Sequence, residues 1–348
     1  MHLSTFSALG LLPTLAQAAA DQGFASPTPI QQQAIPVVLR GADLLATAQT
    51  GSGKTAAFAL PLLQHLQTGA VHTPRRVRAL VLVPTRELAA QVGEVLRSLA
   101  QQLPSRPRVA VAFGGVSINP QLMALRGGAD VVVATPGRLL DLVEHNALRL
   151  SAVELLVLDE ADRLLDLGFA DELDRVLALL PAQRQNLFFS ATFPPAVEAL
   201  AGGLLRDPQR VDVPAPAQAE AVVLQRAIAV DAGRRTQLLR QLIQDNGWER
   251  VLVFVATQYS AERVASKLHH GDLYATSFHG GLSQGARKQA LQEFKEKRWD
   301  VVVTTDLAAR GIDIAQLPVV VNYDLPRSAV DYVHRIGRTG RAGESGLA

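Results

Sequence analysis

The feature that most constrains this chain is the stretch from Ala48 to Thr55, which reads Ala-Gln-Thr-Gly-Ser-Gly-Lys-Thr. An apolar run precedes it, and an apolar helical pattern, residues 56–66, follows it. A strand, a glycine-rich turn and a helix in that order are the context of a phosphate-binding loop. Gly51 and Gly53 let consecutive backbone N–H groups point toward one anion, and the helix N-terminus favours the same charge.

The same stretch predicts which groups hold a nucleoside triphosphate. Lys54 can reach the β- and γ-phosphates, and the Thr55 hydroxyl can bind Mg²⁺. The rest of the predicted phosphate-binding set is Gln49, Thr50, Gly51, Ser52 and Gly53. The alternative is a glycine-rich turn with a lysine present by chance, and the flanking strand and helix argue against it.

A second stretch places acids at the end of an apolar run. Leu155 to Leu158 read as a buried strand, and Asp159, Glu160 and Asp162 follow it. The carboxyl ends of parallel strands form one edge of a sheet, so these carboxylates are expected beside the phosphate loop. Asp159 can then hold Mg²⁺, and Glu160 can polarise the water that attacks the γ-phosphate. A helix N-terminus decorated with acids is the alternative, and it is a reasonable one for Asp162 alone.

Short apolar runs alternate with helical patterns along most of the chain. The predicted strands are 43–47, 78–83, 108–113, 130–134, 153–158, 186–189 and 210–213, then 222–230, 250–255, 273–277, 301–305 and 319–323. Strands that are apolar on both sides and separated by helices indicate a parallel sheet covered on both faces. We therefore predict two tandem α/β domains, residues 1–212 and 221–348, joined by a proline- and alanine-rich linker, residues 213–220.

Composition limits the remaining possibilities. No apolar run approaches the length of a membrane-spanning helix, so we expect no membrane segment, and there is no cysteine for a disulfide or a Cys-based zinc site. The apolar N-terminal run resembles a signal peptide, but the first Lys or Arg is Arg40 and Pro13 interrupts the run. We therefore expect no cleaved leader and a cytoplasmic protein. The net charge of +2 permits a polyanionic partner without indicating one.

Taken together, these residues carry a family resemblance. Asp159-Glu160-Ala161-Asp162 is the sequence that names the DEAD-box family of ATP-dependent RNA helicases, and further motifs of that family occur in order over nearly the whole chain. Within the family the chain is most similar to the bacterial RhlE type, in part through residues 114–120. The resemblance implies two RecA-like (P-loop NTPase) domains, with ATP and Mg²⁺ as cofactors.

The resemblance implies further nucleotide contacts. Gln31 would read the adenine edge, and its amide has the donor and acceptor to do so. Phe6 would pack on the base, although on sequence alone it is more often a core residue. Asp313 would contact the ribose. Arg338 and Arg341 would be arginine fingers, which are typically worth ~10³–10⁵ in turnover.

The resemblance also implies a coupling contact and a set of RNA contacts. Ser190 and Thr192 would hydrogen-bond Asp162 and so couple the ATP state to strand separation. The residues implied to contact RNA are Pro84, Thr85, Arg86, Gly114, Gly115, Thr135, Pro136, Gly137, Arg138, Gly280, Arg287 and Thr305. Contacts of this kind to the RNA backbone position a strand but read little of its sequence.

The implied function is RNA-dependent ATP hydrolysis that locally unwinds short duplexes or remodels RNA–protein complexes. Single-stranded RNA and short duplexes are the implied partners. The nearest alternative is an ATP-gated RNA clamp or assembly platform without unwinding. A DNA-translocating helicase and a nucleotide-independent RNA-binding module are more distant alternatives. Because only seven residues follow Arg341, we expect the chain to be truncated within its second domain.

Overall fold

The structure is a computed structural model, and it describes residues 5–48, 51–68, 72–213, 223–309, 317–326, 328–340 and 346–348. The chain divides into two compact units, Met1–Ala215 and Pro216–Ala348. The division falls within the predicted linker, of which residues 214–220 lie outside the described ranges.

A seven-stranded parallel sheet forms the centre of the first unit. Its strands are β1 (Leu44–Thr47), β2 (Ala79–Leu82), β3 (Val109–Ala112), β4 (Val131–Ala134), β5 (Leu155–Leu158), β6 (Gln185–Ser190) and β7 (Gln209–Asp212). They are ordered β3–β4–β2–β5–β6–β1–β7, and the neighbouring strands pair in parallel. Every residue of β2, β4 and β5 is buried, as expected for strands covered on both faces.

Helices cover both faces of this sheet. They are α1 (Pro13–Asp21), α2 (Pro29–Leu39), α3 (Lys54–Thr68), α4 (Arg86–Gln101), α5 (Asn119–Leu125), α6 (Pro136–Glu144), α7 (Ala161–Asp166), α8 (Ala170–Ala178) and α9 (Pro195–Leu204). Side chains of β5 alternate between two hydrophobic clusters. Leu155 and Val157 belong to the cluster that includes α2, α3 and α4, whereas Leu156 and Leu158 belong to the cluster that includes α6 and α8. Burial on both sides thus fixes the register of the central strand.

The second unit repeats this plan with a six-stranded parallel sheet. Its strands are β8 (Val223–Leu224), β9 (Val251–Phe254), β10 (Ala275–Phe278), β11 (Val301–Thr304), β12 (Val319–Asn322) and β13 (Gly346–Leu347), in the order β10–β11–β9–β12–β13–β8. Its helices among the described residues are α10 (Arg235–Asn246), α11 (Gln258–His269), α12 (Gln284–Lys295), α13 (Asp306–Ala309) and α14 (Ala329–Ile336). The residues of β9 again alternate between two hydrophobic clusters.

Two parallel α/β units confirm the predicted fold class, but one predicted strand is shorter than expected. Of the described residues 223–230, only Val223–Leu224 form a strand, which pairs with β13. Residues 225–230 are exposed, including the apolar side chains of Ile228 and Val230. Within the described part of the chain, none of the helices combines the length and apolarity that a bilayer crossing requires.

Candidate active site

The sheet of the first unit gathers the predicted functional stretches along one edge. Six strands lead into these stretches: β1 into 48–55, β2 into 84–86, β3 into 114–115, β4 into 135–138, β5 into 159–162 and β6 into 190–192. Because parallel strands share one carboxyl edge, all six stretches lie along that edge, where α/β sheets bind their ligands.

Backbone geometry at Gly53 explains why the phosphate loop needs a glycine there. Gly53 has a φ of +96°, and a Cβ at this position would lie 2.5 Å from Gln31 Nε2. The positive φ would strain any larger residue, and its Cβ would displace the Gln31 amide from its present position. The helix α3 begins at the next residue, Lys54, so its unpaired N–H groups lie at the loop. Gln49 and Thr50 lie outside the described residues.

Gln31 joins the phosphate loop to α2. Its side chain accepts a hydrogen bond from the Thr28 backbone N–H at 2.9 Å, which completes a capping box at the start of the helix. Its Nε2 donates to the Gly53 carbonyl at 3.0 Å. An amide has a second hydrogen to donate and a second lone pair to accept with. Gln31 therefore keeps the capacity to pair with an adenine edge, and that contact stays a prediction.

Phe6 lies in the hydrophobic core of the first unit. Its side chain is 5% exposed and belongs to the cluster that contains Leu15 and Ile35. The structure thus gives Phe6 the core role that the sequence allowed, and its contact with a nucleotide base stays a prediction.

Lys54 and Asp159 are two buried charged groups at the carboxyl edge. Among the described residues, Lys54 Nζ has no hydrogen-bond partner. Burial raises the pKa of Asp159 to about 6, although the positive charge of Lys54 acts in the opposite direction. An anionic ligand would satisfy Lys54, and a divalent cation would stabilise the ionised form of Asp159. These residues therefore fit a phosphate group together with a metal ion.

The raised pKa of Asp159 makes the stability of the ligand-free protein depend on pH. A carboxyl whose folded-state pKa lies above its unfolded value of 3.8 favours folding at low pH, and that contribution is lost as the pH rises through about 6. Since one pKa unit is worth about 1.4 kcal/mol, ionised Asp159 costs on the order of 2–3 kcal/mol at neutral pH. We expect Asp159→Asn to raise the free energy of unfolding at neutral pH by about this amount.

The measurement is thermal unfolding of both proteins from pH 4 to pH 8 without nucleotide or metal. The gain in stability of Asp159→Asn over the parent should grow as the pH rises to about 6 and should then stay level. The exposed Asp174→Asn serves as a control and should show no such trend. An Asp159→Asn protein that is less stable than the parent at pH 8 would contradict this account of the buried carboxyl.

Glu160 adopts an unusual backbone conformation at the end of the loop after β5. Its φ and ψ are +52° and +51°, which is the left-handed region that residues other than glycine seldom occupy. It is the N-cap residue of α7 but makes no side-chain cap. Its Oε2 instead accepts a hydrogen bond from Arg163 Nη1 at 2.9 Å. Arg163 is not among the predicted site residues, although its spacing of three residues from Glu160 is a sequence signal for this contact.

Asp162 contacts the stretch that follows β6. Thr192 Oγ1 donates to Asp162 Oδ2 at 2.9 Å, and the Thr192 backbone N–H donates to the same oxygen at 3.2 Å. The Asp162 backbone N–H donates to Ser190 Oγ at 3.3 Å. The expected contact between Thr192 and Asp162 is therefore present, whereas Ser190 meets the Asp162 backbone rather than its carboxylate. The role of this contact in coupling stays a prediction.

The predicted RNA-binding stretches of the first unit contact one another. A Cβ at Gly115, which has a φ of +75°, would lie 2.5 Å from Arg86 Nη1, so Arg86 packs directly on this glycine. Arg138 is 8% exposed and donates through Nη2 to the Val116 carbonyl at 2.8 Å. Thr85 caps α4 by accepting from the Leu88 N–H. Arg86 and Arg138 therefore fix the shape of this surface, and their contacts with RNA stay predictions.

In the second unit, the predicted contact residues follow β10, β11 and α14. Gly280 lies in the turn after β10, and Thr305 follows β11 directly. Arg287 is 3% exposed, and its guanidinium lies 4.9 Å from the ring centroid of Phe278. The contact between Arg287 and Phe278 packs α12 against the end of β10. The contact of Arg287 with RNA stays a prediction. Asp313 and Arg341 are outside the described residues.

The arginine cluster after β12 contains a structural anchor that the sequence analysis left without a role. Arg335 is 2% exposed and bonds both oxygens of Asp306, at 2.5 and 2.6 Å. It also donates to Asn322 Oδ1 and lies over the ring of Phe254. Arg338, 7% exposed, lies three residues further along. Arg335 therefore ties the segment that carries Arg338 to the sheet of this unit.

Comparison with known proteins places the chain in a family. The family profile described as DEAD/DEAH box helicase matches residues 28–200, and the helicase conserved C-terminal domain matches residues 234–343. The chain therefore belongs to the DEAD-box helicase family.

Two curated relatives and one solved structure illustrate the similarity. The chain is 42% identical over 346 residues to the ATP-dependent rRNA helicase RRP3 of Pyricularia oryzae, and 40% identical over 346 residues to the DEAD-box ATP-dependent RNA helicase CshA of Bacillus cereus. Each match covers 99% of this chain but only 63% and 65% of the respective relative. Dbp5 of S. cerevisiae bound to RNA and ADP BeF3 is similar at a TM-score of 0.85 and 32% identity, covering 99% of this chain and 88% of Dbp5.

Proposed function

We propose that this protein is an RNA-dependent ATPase that uses ATP binding and hydrolysis to unwind short RNA duplexes locally or to remodel RNA–protein complexes. The observation that carries the proposal is the buried, unpartnered ammonium of Lys54 beside Asp159 and Glu160, at the edge that also bears the RNA-type stretches. A buried ammonium without a hydrogen-bond partner is costly, and a phosphate ligand would supply the acceptors that it lacks. The family relationship supports ATP as that ligand.

In this proposal the first unit binds the phosphates of ATP through the loop 48–55 and the N-terminus of α3. Lys54 pairs with the β- and γ-phosphates, and Thr55 and Asp159 hold Mg²⁺. When bound, Mg²⁺ neutralises charge that develops on the phosphates. Glu160 accepts the proton of the attacking water as general base.

Further contacts to the nucleotide come from both ends of the chain. Gln31 binds adenine, with Phe6 packed beneath it, and Asp313 binds the ribose. Arg338 and Arg341 stabilise negative charge in the transition state. The bonds from Arg335 to Asp306 support this proposal, because they anchor the segment that carries Arg338 to its own unit.

RNA is held through its backbone. The stretches 84–86, 114–115 and 135–138 present small residues, backbone N–H groups and arginines to the phosphates, and Gly280, Arg287 and Thr305 belong to the same set. Such contacts depend little on base identity, so the protein accepts single strands and short duplexes of many sequences. ATP and RNA each favour the same closed state of the protein, and each therefore tightens the binding of the other.

At a finer level we place the chain with the bacterial RhlE type, on the basis of residues 114–120, Gly-Gly-Val-Ser-Ile-Asn-Pro. Because its proposed substrates, ATP and RNA, are both supplied in the cytoplasm, we propose that the protein acts there.

The experiment that tests this function measures ATP turnover with no polynucleotide, with RNA and with DNA of the same base sequence. Turnover stimulated by RNA and not by DNA supports the proposal, whereas equal stimulation by both indicates a DNA-translocating helicase. Release of a labelled strand from a short RNA duplex, followed in the same reactions, separates an unwinding enzyme from an ATP-gated clamp. Turnover that is independent of RNA contradicts the proposal.

A further inference from the structure

Arg163 and Glu160 form a buried ion pair at the carboxyl edge of the first unit. Arg163 Nη1 donates to Glu160 Oε2 at 2.9 Å, and both side chains are 7% exposed. Arg163 lies in the first turn of α7, three residues after Glu160, which places the two side chains on one face of the helix. Nothing in the proposed reaction so far uses Arg163.

We propose that Arg163 is a positioning residue for Glu160, which aims the carboxylate at the attacking water; this inference rests on the proposed function. The bond from Arg163 occupies Oε2, and no hydrogen bond joins Oε1 to any of the described residues. One oxygen is therefore fixed and the other is left to accept from water. A general base held by a third group is the recurrent arrangement at sites that activate a nucleophile.

The backbone of Glu160 supports this assignment. A residue other than glycine persists in the left-handed region only where its surroundings fix it, and such residues concentrate at functional sites. An acid at the N-cap position could bond to the free N–H groups of α7, yet Glu160 makes no such cap. Its carboxylate turns to Arg163 instead.

The surrounding charges explain why the orienting group is a cation. Asp159 interacts electrostatically with Glu160, Asp162 and Lys54, so these four charges lie close together. Without Arg163, the Glu160 carboxylate would lie beside the like charge of Asp159, with no side-chain donor among the described residues to hold it. A cation at this position therefore both pairs with Glu160 and fixes the orientation of its carboxylate.

The test compares Arg163→Met, which keeps an apolar stem of similar shape, with Arg163→Lys, which keeps the charge but not the fork of donors. Misdirection of a reacting group costs up to about 100-fold in rate. We expect Arg163→Met to lower kcat of RNA-stimulated hydrolysis roughly 10- to 100-fold while KM and Kd for ATP change less than about twofold. Arg163→Lys should recover part of that loss. Arg175→Met is the control, since Arg175 pairs with Glu144 at 2.9 Å on the surface.

A second measurement separates positioning from a general structural role. If Arg163 acts through Glu160, then in a Glu160→Gln background Arg163→Met should have no further effect on the residual single-turnover rate. An Arg163→Met protein with kcat within twofold of the parent, or an equal loss of rate in both backgrounds, would overturn the inference. Where Arg163→Met lowers the Tm, Arg163→Lys is taken through the same pair of backgrounds. Turnover at the parent rate in Glu160→Gln would instead refute the proposed role of Glu160 itself.

Discussion

Glu160→Gln is expected to lower RNA-stimulated ATP hydrolysis by ~10²–10⁴, the usual contribution of a general base. The glutamine amide has nearly the shape of the carboxylate, and its oxygen can still accept the hydrogen bond from Arg163. It cannot take a proton from water at neutral pH. The chemical step should therefore fail while the fold and the affinity for ATP persist.

Single-turnover hydrolysis with saturating RNA measures this loss, and binding of a fluorescent ATP analogue measures the affinity. The exposed Glu198→Gln is the matched control, because it makes the same chemical change away from the site. If Glu160→Gln hydrolyses ATP at the parent rate, another group accepts the proton and the assignment of Glu160 is wrong.

The second large effect concerns nucleotide binding itself. Lys54→Met removes the ammonium and keeps the apolar stem. Charged hydrogen bonds are worth ~1.5–3 kcal/mol, so the affinity for ATP should fall roughly 10- to 100-fold. In the free protein Lys54 Nζ is buried and has no hydrogen-bond partner among the described residues. Its removal relieves the burial of an ammonium but also removes an attraction to the buried Asp159, so the free energy of unfolding without nucleotide should change little.

Calorimetric titration with ATP and thermal unfolding without it test the two halves of this prediction. Lys267→Met, at an exposed position of α11, is the control for loss of one lysine charge. Unchanged ATP affinity in Lys54→Met would show that the phosphates bind elsewhere. A large drop in the Tm of the nucleotide-free variant would show that Lys54 has a structural partner.

The sequence predicted the sheets well because parallel strands covered on both faces leave a simple signal. Runs such as Leu155–Leu158 are apolar throughout and lie between helical patterns, and their ends fall within two residues of those observed. The same logic predicted that motifs at the ends of strands share one edge. The prediction was too long at residues 222–230, since residues 225–230 are exposed and form no strand.

Two short features of the site left weaker signals. The helix α2 depends on a capping box between Thr28 and Gln31, and its apolar face is interrupted by three successive glutamines. The helix α7 is six residues long, too short for a periodic pattern to emerge.

Side-chain pairings could not be predicted because they depend on tertiary contacts. The sequence around Arg138, Arg287 and Arg335 does not indicate burial, yet each is at most 8% exposed. Their partners, the Val116 carbonyl, the Phe278 ring and the Asp306 carboxylate, lie 22, 9 and 29 residues away in the sequence. The same holds for Lys54 Nζ, which is buried without a hydrogen-bond partner among the described residues.

The central claim is that ATP and RNA bind cooperatively to one catalytic state, and the ATP affinity measured with and without saturating RNA tests it most directly. A non-hydrolysable ATP analogue keeps turnover out of the measurement. We predict that RNA increases the affinity for the analogue by about 5- to 150-fold. The analogue should increase the affinity for RNA by the same factor, as linkage requires. Identical analogue affinity in the presence and absence of RNA would contradict the account.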